Sequence, residues 1–91
     1  MSHTIRDKEK LLLRVRRIRG QIEAIERALE SEAGCDKVMH LLSSTRAAMA
    51  GLTAEVVEEH VQTHLLEKGQ SDASRQQAAE QLLAVVRTYM R

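Results

Sequence analysis

Residues 11–29 read LLLRVRRIRGQIEAIERAL. Within them Leu11, Val15, Ile18, Ile22, Ile25 and Leu29 recur at alternating spacings of four and three, which is the a/d seam of a helix packed against other helices. Upstream, Thr4-Ile5-Arg6-Asp7 fits a capping box. The Thr4 hydroxyl and the Asp7 carboxylate can satisfy the first free amides of a helix, so helix 1 is expected to begin there. Downstream, Ser31-Glu32-Ala33-Gly34 supplies a break, with Gly34 suited to the left-handed conformation that closes a helix.

A second helix is expected from about Asp36 to Glu67. At ~100° per residue, Val38, Leu41, Leu42, Thr45, Met49, Leu52 and Val56 share one face. Ser43, Ala47, Ala50, Ala54, Val57, Val61 and Leu65 form a smaller-residue face opposite. A helix apolar on two sides is covered from two sides. Gly69 and the polar run Gln70-Ser71-Asp72 punctuate again, and Ala78, Ala79, Leu82, Val86 and Tyr89 outline a shorter third helix. The expected fold is all-α, a long antiparallel helical hairpin plus a short third helix, forming a single domain over residues 1–91. No helix-turn-helix pattern is evident.

Composition agrees. The 91 residues include no Pro, Trp or Phe and one Tyr, and the abundant Ala, Leu, Glu, Arg and Gln are residues that lose little on entering a helix. So short a chain buries a modest fraction of its surface, which makes oligomerisation an expectation. One Cys provides no disulfide framework, and no apolar run approaches a signal sequence or membrane span. A soluble cytoplasmic protein is therefore expected. The net charge of +1 hides an asymmetry, with Arg6, Lys8, Lys10, Arg14, Arg16, Arg17 and Arg19 early in the chain and Glu23, Glu26, Glu30, Glu32 and Asp36 after them.

Four residues form a candidate metal set. His60 and His64 stand four apart on helix 2, so their rings project from one side and can share an ion. Cys35 sits at the N-terminal end of the same helix, where the dipole and free amides favour the thiolate. Taken alone, the Cys reads equally well as a small buried residue. His3 precedes the Thr4 cap and reads either as a ligand folded back or as a tail residue; His40, without a partner at ligand spacing, reads as a surface or interface residue. Along a helix rising 1.5 Å per residue, Cys35 and His60 are roughly 37 Å apart, so one chain cannot bring both to one ion. An antiparallel dimer would, with His3 of helix 1 beside its own His60 and His64 and Cys35 supplied by the neighbour, giving two equivalent sites. One thiolate with several imidazoles suits Ni(II), Co(II) or Zn(II), and is less suited to Cu(I), which favours more sulfur, or to Mg(II) and Ca(II), which favour oxygen.

Lys10, Arg14, Arg17 and Gln21 follow helical spacing on one side of helix 1, and Arg46 on helix 2 extends that surface. Such groups bond phosphates or base edges of a duplex, although a solvated charged face reads equally from charge alone. The near absence of aromatics argues against single-strand stacking.

The segment Arg14-Val15-Arg16-Arg17-Ile18-Arg19-Gly20-Gln21-Ile22, the single Cys35, the stretch Arg46-Ala47-Ala48-Met49-Ala50-Gly51-Leu52, and His60 ahead of His64 together resemble the CsoR/RcnR/FrmR family of bacterial repressors. The resemblance covers nearly the whole chain, and the opening Met-Ser-His-Thr-Ile-Arg-Asp-Lys is most similar to its nickel/cobalt-responsive branch. It implies a three-helix protomer, dimers forming a four-helix bundle and pairing into a homotetramer, and repression of a metal-efflux operon until metal releases operator DNA. It implies DNA reading through shape and phosphates, with Arg14 and Arg17 at the family's basic positions. It also implies metal ligation by His3, Cys35, His60 and His64, with the Ser2 amine as a further ligand after removal of Met1. His64 stands where a copper sensor of the family is expected to carry a second Cys, and Ser2 where a formaldehyde sensor is expected to carry Pro. Two alternatives accompany this reading: a formaldehyde-responsive repressor using Cys35, and a metal-binding helical adaptor with no DNA role. An enzyme is not expected, because no nucleophile and base stand apart from the metal set.

Overall fold

The computed structural model describes residues 7–89, with side chains from 7 to 88. Three α-helices span Lys8–Glu30 (α1), Cys35–Val61 (α2) and Asp72–Tyr89 (α3), and a π-helical turn over Gln62–Leu66 continues from α2. No strand occurs among the described residues. Two compact units emerge, Asp7–Glu55 and residues 56–89.

The first unit is an antiparallel hairpin of α1 and the first part of α2. Its register is fixed by contacts that step seven residues along both helices, Arg14 against Gly51 and Gln21 against Ser44. The a/d seam of α1 divides here into two rows. Leu11, Ile18 and Ile25 are buried or half-buried, whereas Val15, Ile22 and Leu29 stay exposed, Leu29 at 60%. On α2, Thr45 is buried and its Oγ1 donates to the Leu41 carbonyl at 2.7 Å, so a polar residue fits the inner face with its hydroxyl satisfied. The small-residue face opposite, at Ser43, Ala47, Ala50 and Ala54, is exposed.

Both ends of α1 differ in detail from the sequence expectation. α1 begins at Lys8 with Asp7 as its N-cap, and the Asp7 carbonyl accepts from the Leu11 amide at 3.0 Å. Asp7 makes no side-chain cap bond and opens the helix through its carbonyl alone, instead of closing a capping box one turn in; Thr4 lies outside the described residues. At the other end of α1 the left-handed residue is Glu32 (φ 53°), not Gly34. The Ala33 amide reaches the Ala28 carbonyl and the Glu32 amide the Leu29 carbonyl, at 2.9 and 3.2 Å, the bond pair of a Schellman closure. Gly34, at φ 103°, starts α2 instead, its carbonyl accepting from the Val38 amide.

In the second unit the π turn takes up the helical path that α2 was expected to carry to Glu67, and ends as Glu67 becomes extended (ψ 139°). α3 starts where the Ser71 hydroxyl accepts the Ser74 amide at 3.1 Å, an N-cap bond. Ala78 and Thr63, each 3% exposed, mark where α3 and the π turn pack together.

Candidate metal centre and nucleic-acid interface

His60, in the last turn of α2, and His64, in the π turn, hold their rings 4.9 Å apart between centroids and inclined by 43°. Two imidazoles that share an ion through N–metal bonds of about 2.1 Å have ring centres roughly 5 Å apart, so the spacing fits joint ligation. The pairing expected from the sequence is therefore formed, although the turn that carries His64 is π rather than α. Such wider turns occur often at functional sites. Both rings are half-buried.

His60 Nε2 lies 2.8 Å from the Ala78 carbonyl oxygen of α3. A carbonyl only accepts, so Nε2 carries the proton and donates, and the lone pair of the neutral ring is on Nδ1. Histidines that bind metals are held in this way, one nitrogen donating to a backbone carbonyl and the other facing the ion. Thr63 is buried next to His64, and its Oγ1 makes no hydrogen bond among the described residues.

Cys35 is the first residue of α2 and its thiol is exposed. It lines a cleft of about 540 Å³ with Ala28, Leu29, Glu32, Gly34, Val38 and Met39, a mostly apolar surface at the α1–α2 turn. His3 and Ser2 lie outside the described residues. His40 is exposed and sits 3.5 Å from Asp36, as a surface residue would. Among the described residues no group of three or more His, Cys, Asp or Glu comes together in a metal-binding cluster.

The basic face sorts into engaged and open groups. Arg14 Nη2 contacts Glu55 Oε1 at 2.8 Å, and Lys10 Nζ approaches the same oxygen at 3.6 Å. Gln21 turns inward to donate from Nε2 to the Ser44 hydroxyl at 3.2 Å. Arg17 and Arg46 are exposed and form no ion pair among the described residues. Sequence reading had no role for Glu55, Gly51 or the Ala78 carbonyl. The signal for the first two was present, since they stand four apart on α2, but their meaning depends on the hairpin register.

Comparison with known proteins places this all-helical chain, with its histidine pair at the end of α2 and its cations along α1. A family model described as metal-sensitive transcriptional repressor matches residues 7–88, and the chain belongs to that family, the CsoR/RcnR family. Its members are transcriptional repressors, not enzymes. The chain is 50% identical over 91 residues, all of both chains, to a protein of Serratia marcescens described as uncharacterized, in the bioA 5' region. It is 35% identical over the full length of both to the transcriptional repressor RcnR of Salmonella arizonae. Among solved structures it is similar to a glutamate-to-histidine variant of the formaldehyde-responsive regulator FrmR from Salmonella enterica serovar Typhimurium. That match has a TM-score of 0.88 and 39% identity, and covers 97% of this chain and 99% of that one. No described helix is long and apolar enough to cross a membrane.

Proposed function

We propose that this protein is a cytoplasmic repressor that binds operator DNA in its metal-free form and releases it on binding Ni(II) or Co(II), so that a metal-efflux or resistance operon is expressed. The observation that carries this reading is the His60–His64 pair, 4.9 Å apart, with His60 Nε2 tied to Ala78 and Nδ1 left as the ligating nitrogen. His3, His60 and His64 of one protomer, Cys35 of a second, and the Ser2 amine would hold the ion. Imidazoles with one thiolate form a borderline donor set, suited to Ni(II), Co(II) or Zn(II) and poorly suited to Mg(II) or Ca(II). The ion supplies positive charge and directional bonds that join chain segments otherwise held apart. The protein's part is to present Nδ1 of His60 in a fixed ring orientation and to link that ring, through the Ala78 carbonyl, to α3.

The exposed apolar residues Val15, Ile22, Leu29, Met39, Leu42 and Met49 support self-association into the dimer and homotetramer that carry paired basic faces. On those faces Lys10, Arg14, Arg17, Gln21 and Arg46 are the proposed contacts to the duplex. Release follows if the metal-bound arrangement binds DNA more weakly, and a hundredfold loss of affinity corresponds to about 2.7 kcal/mol of coupling.

Titration of Ni(II) into reduced protein bound to a labelled duplex from its own promoter region tests the scheme. The duplex should be released, and Cys35→Ala or His64→Ala should weaken both metal binding and release. Unchanged metal affinity and unchanged release in these variants would sink the mechanism. Failure of the metal-free protein to retard the duplex at low salt would leave a metal-binding adaptor.

A second reading draws on the exposed Cys35 in its apolar cleft and on the similarity to a formaldehyde-responsive regulator. In it the Cys35 thiol adds to the aldehyde. Intact mass after formaldehyde treatment, with and without Ni(II), separates the two: an adduct that alone releases DNA supports the aldehyde, and an unmodified protein excludes it.

A further inference from the structure

The carboxylate of Glu55 holds two of the cations read above as duplex contacts. One oxygen, Oε1, receives the Arg14 guanidinium at 2.8 Å and the Lys10 ammonium at 3.6 Å. Carboxylate and phosphate oxygens seek the same donors, and a guanidinium engaged in a charge-assisted bond to one has that donor unavailable to the other. The Arg14 side chain is 38% exposed and that of Glu55 22%, so the pair lies along the helix surface rather than reaching into solvent.

Gly51 makes this posture accessible. It stands one turn before Glu55 on α2, and a Cβ built there would come within 3.0 Å of Arg14 Nη1. An alanine at 51 would push the guanidinium, the far end of a flexible side chain, by a few tenths of an ångström, and a longer side chain would push it further; glycine lets it lie flat. Gly51 has a φ in the ordinary helical range, since the positive-φ glycines are Gly34 and Gly69. Its role is therefore clearance for Arg14 rather than backbone freedom, and it costs helix propensity to keep.

We propose that Glu55, with Gly51 as its clearance, is an internal competitor for DNA phosphate that holds Lys10 and Arg14 in reserve and sets the affinity of the basic face below its maximum. This rests on the reading of Lys10 and Arg14 as duplex contacts. Binding exchanges one anion for another at the two cations, and leaves a carboxylate beside the phosphates. The exchange weakens binding and reduces the net release of counterions, so the dependence of affinity on salt is shallower than the cation count implies.

The test is fluorescence anisotropy of a labelled duplex from the protein's own promoter region, titrated with metal-free protein over a series of salt concentrations. Glu55→Gln should bind roughly two- to fivefold tighter at low salt, the range of a partly exposed ion pair, with a salt slope steeper by about one. Gly51→Ala should move affinity the same way by a smaller factor. In a Lys10→Ala/Arg14→Ala background, itself weaker than the parent, Glu55→Gln should tighten binding by a clearly smaller factor, since only the repulsion between carboxylate and phosphate is left to relieve. If that background weakens binding but Glu55→Gln does not tighten it, or tightens it equally with and without the two cations, the competitor role is overturned and the duplex contacts stand. If the background binds as well as the parent, or the parent does not bind, both readings fail. Should circular dichroism show Glu55→Gln to have lost its helices, Glu55→Ala decides, and no tightening there overturns the proposal.

Discussion

Glu32 carries the one positive φ among the described non-glycine residues, 53°, a conformation in which Cβ crowds the carbonyl and costs roughly 1 kcal/mol relative to glycine. The Schellman bonds around it return part of that cost by satisfying the last carbonyls of α1. Glu32→Gly is therefore expected to stabilise the protein by about 0.5–1 kcal/mol, and Glu32→Ala to leave it nearly unchanged; urea denaturation of the three proteins checks both. A Glu32→Gly variant no more stable than the parent would mean that the loop tolerates the left-handed residue without strain. The sequence showed that the chain must break here, but it pointed to Gly34. Which residue takes the left-handed position depends on where the last bond of α1 falls. A glycine two positions later serves equally well to begin the next helix.

At the scale of the element, helices were legible and their irregularities were not. The rows Leu11, Ile18, Ile25 and Val15, Ile22, Leu29 announce α1 because a repeat of seven survives any small error in helical angle. The π turn at Gln62–Leu66 leaves no such mark, since one additional residue within a single turn barely disturbs an apolar pattern. His60 and His64 were found from spacing because residues four apart adjoin in either kind of turn. The contact of His60 with Ala78 was not, since it depends on how α3 docks. Likewise the pairing of Lys10 and Arg14 with Glu55 follows from hairpin register, which pattern alone does not fix. The start of α3 provides a direct check. Ser71→Ala removes the hydroxyl that accepts the Ser74 amide, and should destabilise the protein by about 1 kcal/mol, read as a lowered midpoint in thermal or urea unfolding. No change would show that another group caps α3.

For the whole molecule, the deciding quantity is how little is buried. The core residues of the described chain are Ile18, Ala28 and Ala78, and no large side chain is fully enclosed, while Val15, Ile22 and Leu29 line up exposed on one helix. Composition made a partner subunit an expectation for a chain of 91 residues, and the half-covered seam is the surface proposed to meet it. If self-association covers this row, the melting temperature rises with protein concentration, and Ile22→Glu shifts sedimentation toward the single chain and lowers the melting temperature. A melting temperature independent of concentration, with no change in sedimentation, would contradict it. If an identical chain completes this row, there is also a genetic consequence. A co-expressed copy with an intact row but with Arg14 and Arg17 replaced would enter mixed assemblies and spoil them. Such an allele would act dominantly over the wild type, whereas the same allele carrying Ile22→Glu would be silent.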